Sequence, residues 1–262
     1  MLVQKSGRCG KKCDGLHGKM EYTLLYMSAN SQESSTHSSE ETMFRHLEQT
    51  TPHIPLRKEH FHHTPHTFGD RTAKIIVRTF ASCADFLFQE RYGHRAVVLE
   101  TIAGVPGLVG GFFQHLKSLR FIRDDHGWIQ TLLDEAENER MHLLIYSDIT
   151  RPDRIERFLI IVVQFFFSSI YFVLYAISPS TAHRVVGYFE EEAVRSYEHY
   201  LRLVQDGTHK NVPATSLAIR YWKLHDDATL IDMIEATIRD EMAHRDVNHT
   251  FAEDKYGTQM WK

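Results

Sequence analysis

Leu132-Leu133-Asp134-Glu135-Ala136-Glu137-Asn138-Glu139-Arg140-Met141-His142-Leu143 decides the fold of this chain. Its core is Glu139-x-x-His142. Residues three apart share a face of a helix, so one carboxylate and one imidazole can hold the same metal ion. Leu132, Glu135, Ala136, Glu139, His142, Leu143 and Tyr146 fall on one stripe at helical period. Two acids and a histidine among leucines do not make a solvated face. Glu241-Met242-Ala243-His244 repeats the unit further along, on a stripe with Leu230, Ile234, Thr237, Asn248 and Phe251. Asp240, next to Glu241, reads either as an acceptor for a ligating histidine N–H or as a surface acid.

Two such pairs, with one inward glutamate from each of two further helices, make the ligand set of a di-iron carboxylate bundle. The chain offers both single glutamates. Glu100 is the only acid between Glu90 and Asp124, and its helical face is Ala96, Val97, Ala103, Gly104, Gly107 and Gly111. A lone carboxylate on such a face is costly unless paired or ligating. Pro106 is expected to kink that helix. In Phe189-Glu190-Glu191-Glu192-Ala193, period selects Glu190, which shares a stripe with His183, Val186, Gly187, Val194 and Tyr197. Glu191 aligns with Arg195 and Glu198 and is read as solvated. A third match, Glu59-x-x-His62, has prolines on both sides and no apolar periodicity, and is taken as accidental.

Hydrophobic content of 42% and charged content of 24% in 262 residues describe a globular chain with a substantial core. A net charge of −4 gives no electrostatic reason for a nucleic-acid partner. Three cysteines, Cys9, Cys13 and Cys83, make no disulfide framework. No Walker loop or Cys-x-x-Cys-His occurs, and Gly107-Leu-Val-Gly-Gly111 reads as helix, not as a phosphate loop. Residues 1–70 read as a polar, His-rich, partly disordered N-terminal arm, and 71–262 as the helical domain. The basic start (Lys5, Arg8, Lys11, Lys12, Lys19 against Asp14) fits a mitochondrial presequence weakly.

Phe158 to Ile177 carries no charge and has the length of a membrane span. Yet His142 precedes it and Glu190 follows it, by about 8 Å and about 15 Å of helical rise, and both must reach one metal site. A span of about 30 Å would put those flanks on opposite sides of a bilayer. A helix with its apolar face sunk in one leaflet avoids the conflict. The fold class expected is therefore all-α: a ferritin-like four-helix di-iron bundle with two further long apolar helices, monotopic on a membrane. In that bundle the irons would be held by Glu100, Glu139, His142, Glu190, Glu241 and His244.

These residues resemble the alternative oxidases, membrane-bound di-iron quinol oxidases of mitochondria. The matching segments are Leu99-Glu-Thr101, Ala103-Gly-Val-Pro-Gly-Leu-Val-Gly-Gly111, Glu135-Ala-Glu-Asn-Glu-Arg-Met-His142, Glu190-Glu-Glu-Ala-Val194 and Arg239-Asp-Glu-Met-Ala-His244. The resemblance implies a ubiquinol:oxygen oxidoreductase that reduces O₂ to water, pumps no protons and is insensitive to cyanide. It implies two Fe ions on the six ligands above and a redox-active tyrosine at Tyr197. Arg95, Glu192, Ala193 and Ser196 match the quinol-pocket region. The implied partners are ubiquinol, O₂, one membrane leaflet and a second copy in a homodimer. The implied location is the matrix-facing side of the mitochondrial inner membrane. A di-iron hydroxylase acting on a quinone-like lipid would use the same ligands, and a non-catalytic iron-binding protein is the third reading.

Overall fold

Helix signals in the sequence become long helices wherever an apolar stripe repeats at helical period. The computed structural model describes residues 61–88 and 91–259. They belong to one unit spanning residues 51–262. The earlier residues, including the basic start, Cys9, Cys13 and Glu59, lie outside the described residues.

Among the described residues the order is α1 (Phe68–Phe88), α2 (Tyr92–Phe121), α3 (Trp128–Thr150), α4 (Arg154–Ile177), α5 (Pro179–Gln205), α6 (Ser216–Trp222), α7 (Leu230–Glu253) and α8 (Lys255–Thr258). No strand occurs among them, only an isolated bridge between Pro213 and Thr229. The described residues are all-helical, as their periodicity predicts.

Two helix pairs form the bundle, α2 with α3 and α5 with α7. The first pair packs closely because of α2's glycines. A Cβ built on Gly107 would lie 2.2 Å from the Leu132 carbonyl oxygen and 3.1 Å from the Ala136 nitrogen. Only a residue without a side chain lets these backbones meet. Helix α2 continues through Pro106 as one element to Phe121.

Helix α4 starts at a capping box, in which the Asp153 carboxylate accepts from the Ile155 and Glu156 amides. It ends at Ser178, whose hydroxyl also caps α5, and Pro179 sits at the first position of α5. Helix α5 therefore begins at Pro179. Tyr171, Tyr175 and Phe167 of α4 are buried against α2 and α5, a contribution of about 1.5–3 kcal/mol for each large apolar side chain. The opposite face of α4 looks outward: Phe158, Ile161, Phe165, Phe166, Ile170 and Val173 are all more than half exposed. Helix α1 is likewise two-faced, with Ala73 and Val77 buried and Ile75 and Phe86 exposed. Both α2 and α4 are long and apolar enough to cross a membrane, but α2 is mostly buried in the protein and α4 mostly is not.

Candidate metal centre

Each bundle helix delivers its predicted carboxylate or imidazole to one interior point. Glu100 comes from α2, Glu139 and His142 from α3, Glu190 from α5, and Glu241 and His244 from α7, and all six are buried. They form two overlapping groups. In one, Glu100, Glu139, His142 and Glu241 bring their ligand atoms within 4.8 Å of one another; in the other, Glu139, Glu190, Glu241 and His244 do. Glu139 and Glu241 belong to both, the position of bridging carboxylates between two cations.

Six buried polar atoms face this point without a hydrogen bond: Glu100 Oε2, Glu139 Oε1 and Oε2, Glu241 Oε1, His142 Nδ1 and His244 Nδ1. His142 Nδ1 lies 3.2 Å from Glu241 Oε1, and His244 Nδ1 lies 2.7 Å from Glu139 Oε1. Orphaned buried acceptors cost free energy unless something satisfies them. Four oxygen-bearing and two nitrogen-bearing side chains are the donor set of a divalent or trivalent transition metal pair. The residues fit such a pair.

Electrostatics agree. Burial pushes the Glu100 and Glu190 carboxyls well above the usual range, and the neighbouring glutamates add to it. For Glu139 burial also pushes upward, but His244 and His142 beside it hold the carboxyl well below that range. Burial lowers both histidines, yet surrounding carboxylates lift them well above the ordinary imidazole value. Without a cation, the cluster can only balance its charges by sharing protons. Metal ions invert that logic.

Around the six sits a ring of polar side chains. His142 Nε2 donates to Asp240 Oδ2 at 3.1 Å, so Asp240 is the acceptor of the two roles open from sequence. Asp240 also accepts from Trp222 Nε1 at 2.8 Å and Asn138 Nδ2 at 3.0 Å. Tyr197 Oη donates to Glu100 Oε1, and its ring stacks on Tyr146 at 5.5 Å. Glu135 accepts from Asn248 Nδ2 through both oxygens, at 3.0 and 2.9 Å, and burial pushes its carboxyl up to about 7. His183 Nδ1 donates to Asn248 Oδ1, and Tyr175 Oη donates to His183 Nε2.

Glu191 corrects the sequence reading. It is not solvated: it accepts from His249 Nε2 at 2.9 Å and from the His63 amide at 2.8 Å, and pairs with His62. Helix α5 is covered on two sides, by α7 and by residues 61–66, so a side chain one step round from Glu190 still meets protein. His62, of the third Glu-x-x-His match, is spent on this pair and joins neither metal group.

A narrow pocket of about 90 Å³ opens beside the cluster. Its apolar walls come from α1, α2, α4 and α5, and Glu100, Glu139, Glu190, Glu241 and Tyr197 reach its floor. Arg95, Glu192, Ala193 and Ser196 all line it. The Arg95 guanidinium donates to Asp85 of α1, and Glu192 pairs with Arg195.

Residues 55–253 match the family model for alternative oxidase. This chain belongs to the alternative oxidase family. It is 52% identical over 201 residues to "Ubiquinol oxidase, mitochondrial" of Mangifera indica, covering 77% of this chain and 62% of the relative. It is 51% identical over 201 residues to "Ubiquinol oxidase 1a, mitochondrial" of Arabidopsis thaliana, covering 77% and 56%. Against "Ubiquinol oxidase, mitochondrial" of the chytrid Batrachochytrium dendrobatidis identity is 50% over 192 residues, covering 73% and 61%. The matched stretch thus spans about three fifths of the length of these alternative oxidases.

Proposed function

We propose that the chain is a ubiquinol:oxygen oxidoreductase, a cyanide-insensitive terminal oxidase that pumps no protons. One observation carries the proposal: a mainly apolar pocket, with Arg95 and Glu192 on its wall, reaches Tyr197 and four of the six candidate ligand side chains. Two quinols supply four electrons and four protons, and O₂ takes both to become two waters.

Glu100, Glu139, His142, Glu190, Glu241 and His244 would hold two irons, with Glu139 and Glu241 shared. Bound there, the iron pair supplies the redox chemistry that O₂ reduction requires. Arg95 and Glu192 put a cation and an anion at the pocket wall, able to orient quinol oxygens and take part in proton exchange. Ala193 and Ser196 leave room for a flat ring between α2 and α5. Tyr197, buried on Glu100, is placed to pass an electron and a proton together, since burial and Glu100 keep its hydroxyl protonated.

The outward apolar faces of α4 and α1 would sink into one leaflet, with the pocket, lined partly by those two helices, fed by lipid-dissolved quinol. The same faces suit a monotopic enzyme on the matrix side of the mitochondrial inner membrane, acting as a homodimer. The names of the relatives support ubiquinol as substrate and mitochondria as location.

The test is O₂ uptake by purified, iron-loaded protein in liposomes. Ubiquinol-dependent uptake that persists in cyanide, with two irons per chain, is expected. No uptake by iron-replete protein would reject the oxidase reading, and an oxygenated quinone product would replace it with a hydroxylase.

A further inference from the structure

We infer that the two metal positions are inequivalent: the one between Glu100 and His142 fills first and empties last. This rests on the di-metal reading above. Glu139 and Glu241 serve both positions and do not distinguish them. The terminal ligands do.

His142 turns Nδ1 to the cluster and fixes its ring through Nε2, which donates to Asp240 at 3.1 Å. Asp240 is itself anchored by Trp222 at 2.8 Å and Asn138 at 3.0 Å. Glu100 turns Oε2 to the cluster, while its Oε1 accepts from Tyr197. Both terminal ligands of this position are thus aimed by groups outside the ligand set before any ion arrives.

Glu190 and His244 have no such support. Among the described residues, no hydrogen bond from outside the candidate ligand set reaches either side chain, and His244 Nδ1 lies 2.7 Å from Glu139 and 3.6 Å from Glu241. Glu135, an acid outside the set whose charge acts on both, has its two oxygens engaged by Asn248 and contributes charge without orientation. Partners that orient a ligand are worth about 10–100-fold in metal affinity. At less than two equivalents of metal, the chain therefore carries its ion at Glu100 and His142, and a fully loaded chain loses the ion at Glu190 and His244 first.

The test is anaerobic titration of the metal-free full chain in detergent with Fe(II), read against a competing chelator. Two classes of one equivalent each are expected, separated by about 10-fold or more. Asp240→Asn and Tyr197→Phe should weaken the tighter class toward the weaker one. His244→Asn should remove the weaker class alone. At one equivalent, anomalous scattering should locate iron between Glu100 and His142. Two indistinguishable classes in the unaltered protein, or loss of the tighter class in His244→Asn, would overturn the inequivalence. Binding of no iron at all overturns the metal reading itself, and the inequivalence with it. The unaltered protein decides the matter even where a variant fails to fold.

Discussion

Gly107→Ala is the sharpest structural test. The added methyl carbon would lie 2.2 Å from the Leu132 carbonyl oxygen, 3.0 Å from Ala136 Cβ and 3.1 Å from the Ala136 nitrogen. Non-bonded carbon contacts are comfortable near 3.5–4.0 Å, so α2 and α3 must part by roughly 1 Å. Two of the close atoms are backbone and cannot rotate away. Overpacking of this kind costs about 1–3 kcal/mol, which lowers the melting temperature by about 2–4 °C per kcal/mol in a domain of this size. Separation also moves Glu100 away from Glu139 and His142, so iron content should fall with stability. Gly111→Ala is the control. Its methyl would meet Leu133 Cδ2 at 3.3 Å, and that half-exposed side chain can swing aside. The assay is thermal unfolding by circular dichroism with iron measured on the same samples. Equal melting temperatures and full iron in both variants would refute the close-packing account.

Glu135→Gln should stabilise the metal-free protein in a pH-dependent way. The folded carboxyl titrates at about 7 against an ordinary 4.5, so its destabilising charge is absent below the lower value and complete above the higher. The gain from Gln should grow across that window to about 3 kcal/mol, and a pH-independent difference in unfolding would contradict it. Asp153→Ala removes the acceptor at the start of α4 and should cost about 0.5–2 kcal/mol in chemical denaturation; no change would mean that the cap is spare. Phe166→Glu and Ile170→Glu change side chains that are 59% and 62% exposed, so folding and iron content should hold. If this face enters a leaflet as proposed, co-sedimentation with liposomes should fall sharply, because a charge must enter the hydrocarbon; unchanged sedimentation would reject α4 as a membrane face.

The clustering of the six candidate ligands was legible in the sequence because helical geometry ties Glu139 to His142 and Glu241 to His244, and period separates Glu190 from its two glutamate neighbours. That rule reports only which way a side chain points, not what waits there. Glu191 was misread for that reason: its partners, His249 and the His62–His63 segment, lie 58 and about 128 residues away in sequence. Asp240 stayed ambiguous until α6 brought Trp222 to it. Asn248 was visible on the inward stripe, but its bond to Glu135 needed the packing of α3 on α7. Helix α4 passes for a membrane span on composition; its place between His142 and Glu190 argued for a two-faced helix, but which residues form the buried side, Phe167, Tyr171 and Tyr175, needed the packing.

The ligand set also straddles the boundary between the two helix pairs. Each candidate ion would be gripped by side chains from both halves of the bundle, α2–α3 on one side and α5–α7 on the other. The ions would therefore act as rivets across a seam. Two hydrogen bonds, His142 to Asp240 and Tyr197 to Glu100, cross the same seam and already hold it together before any ion binds.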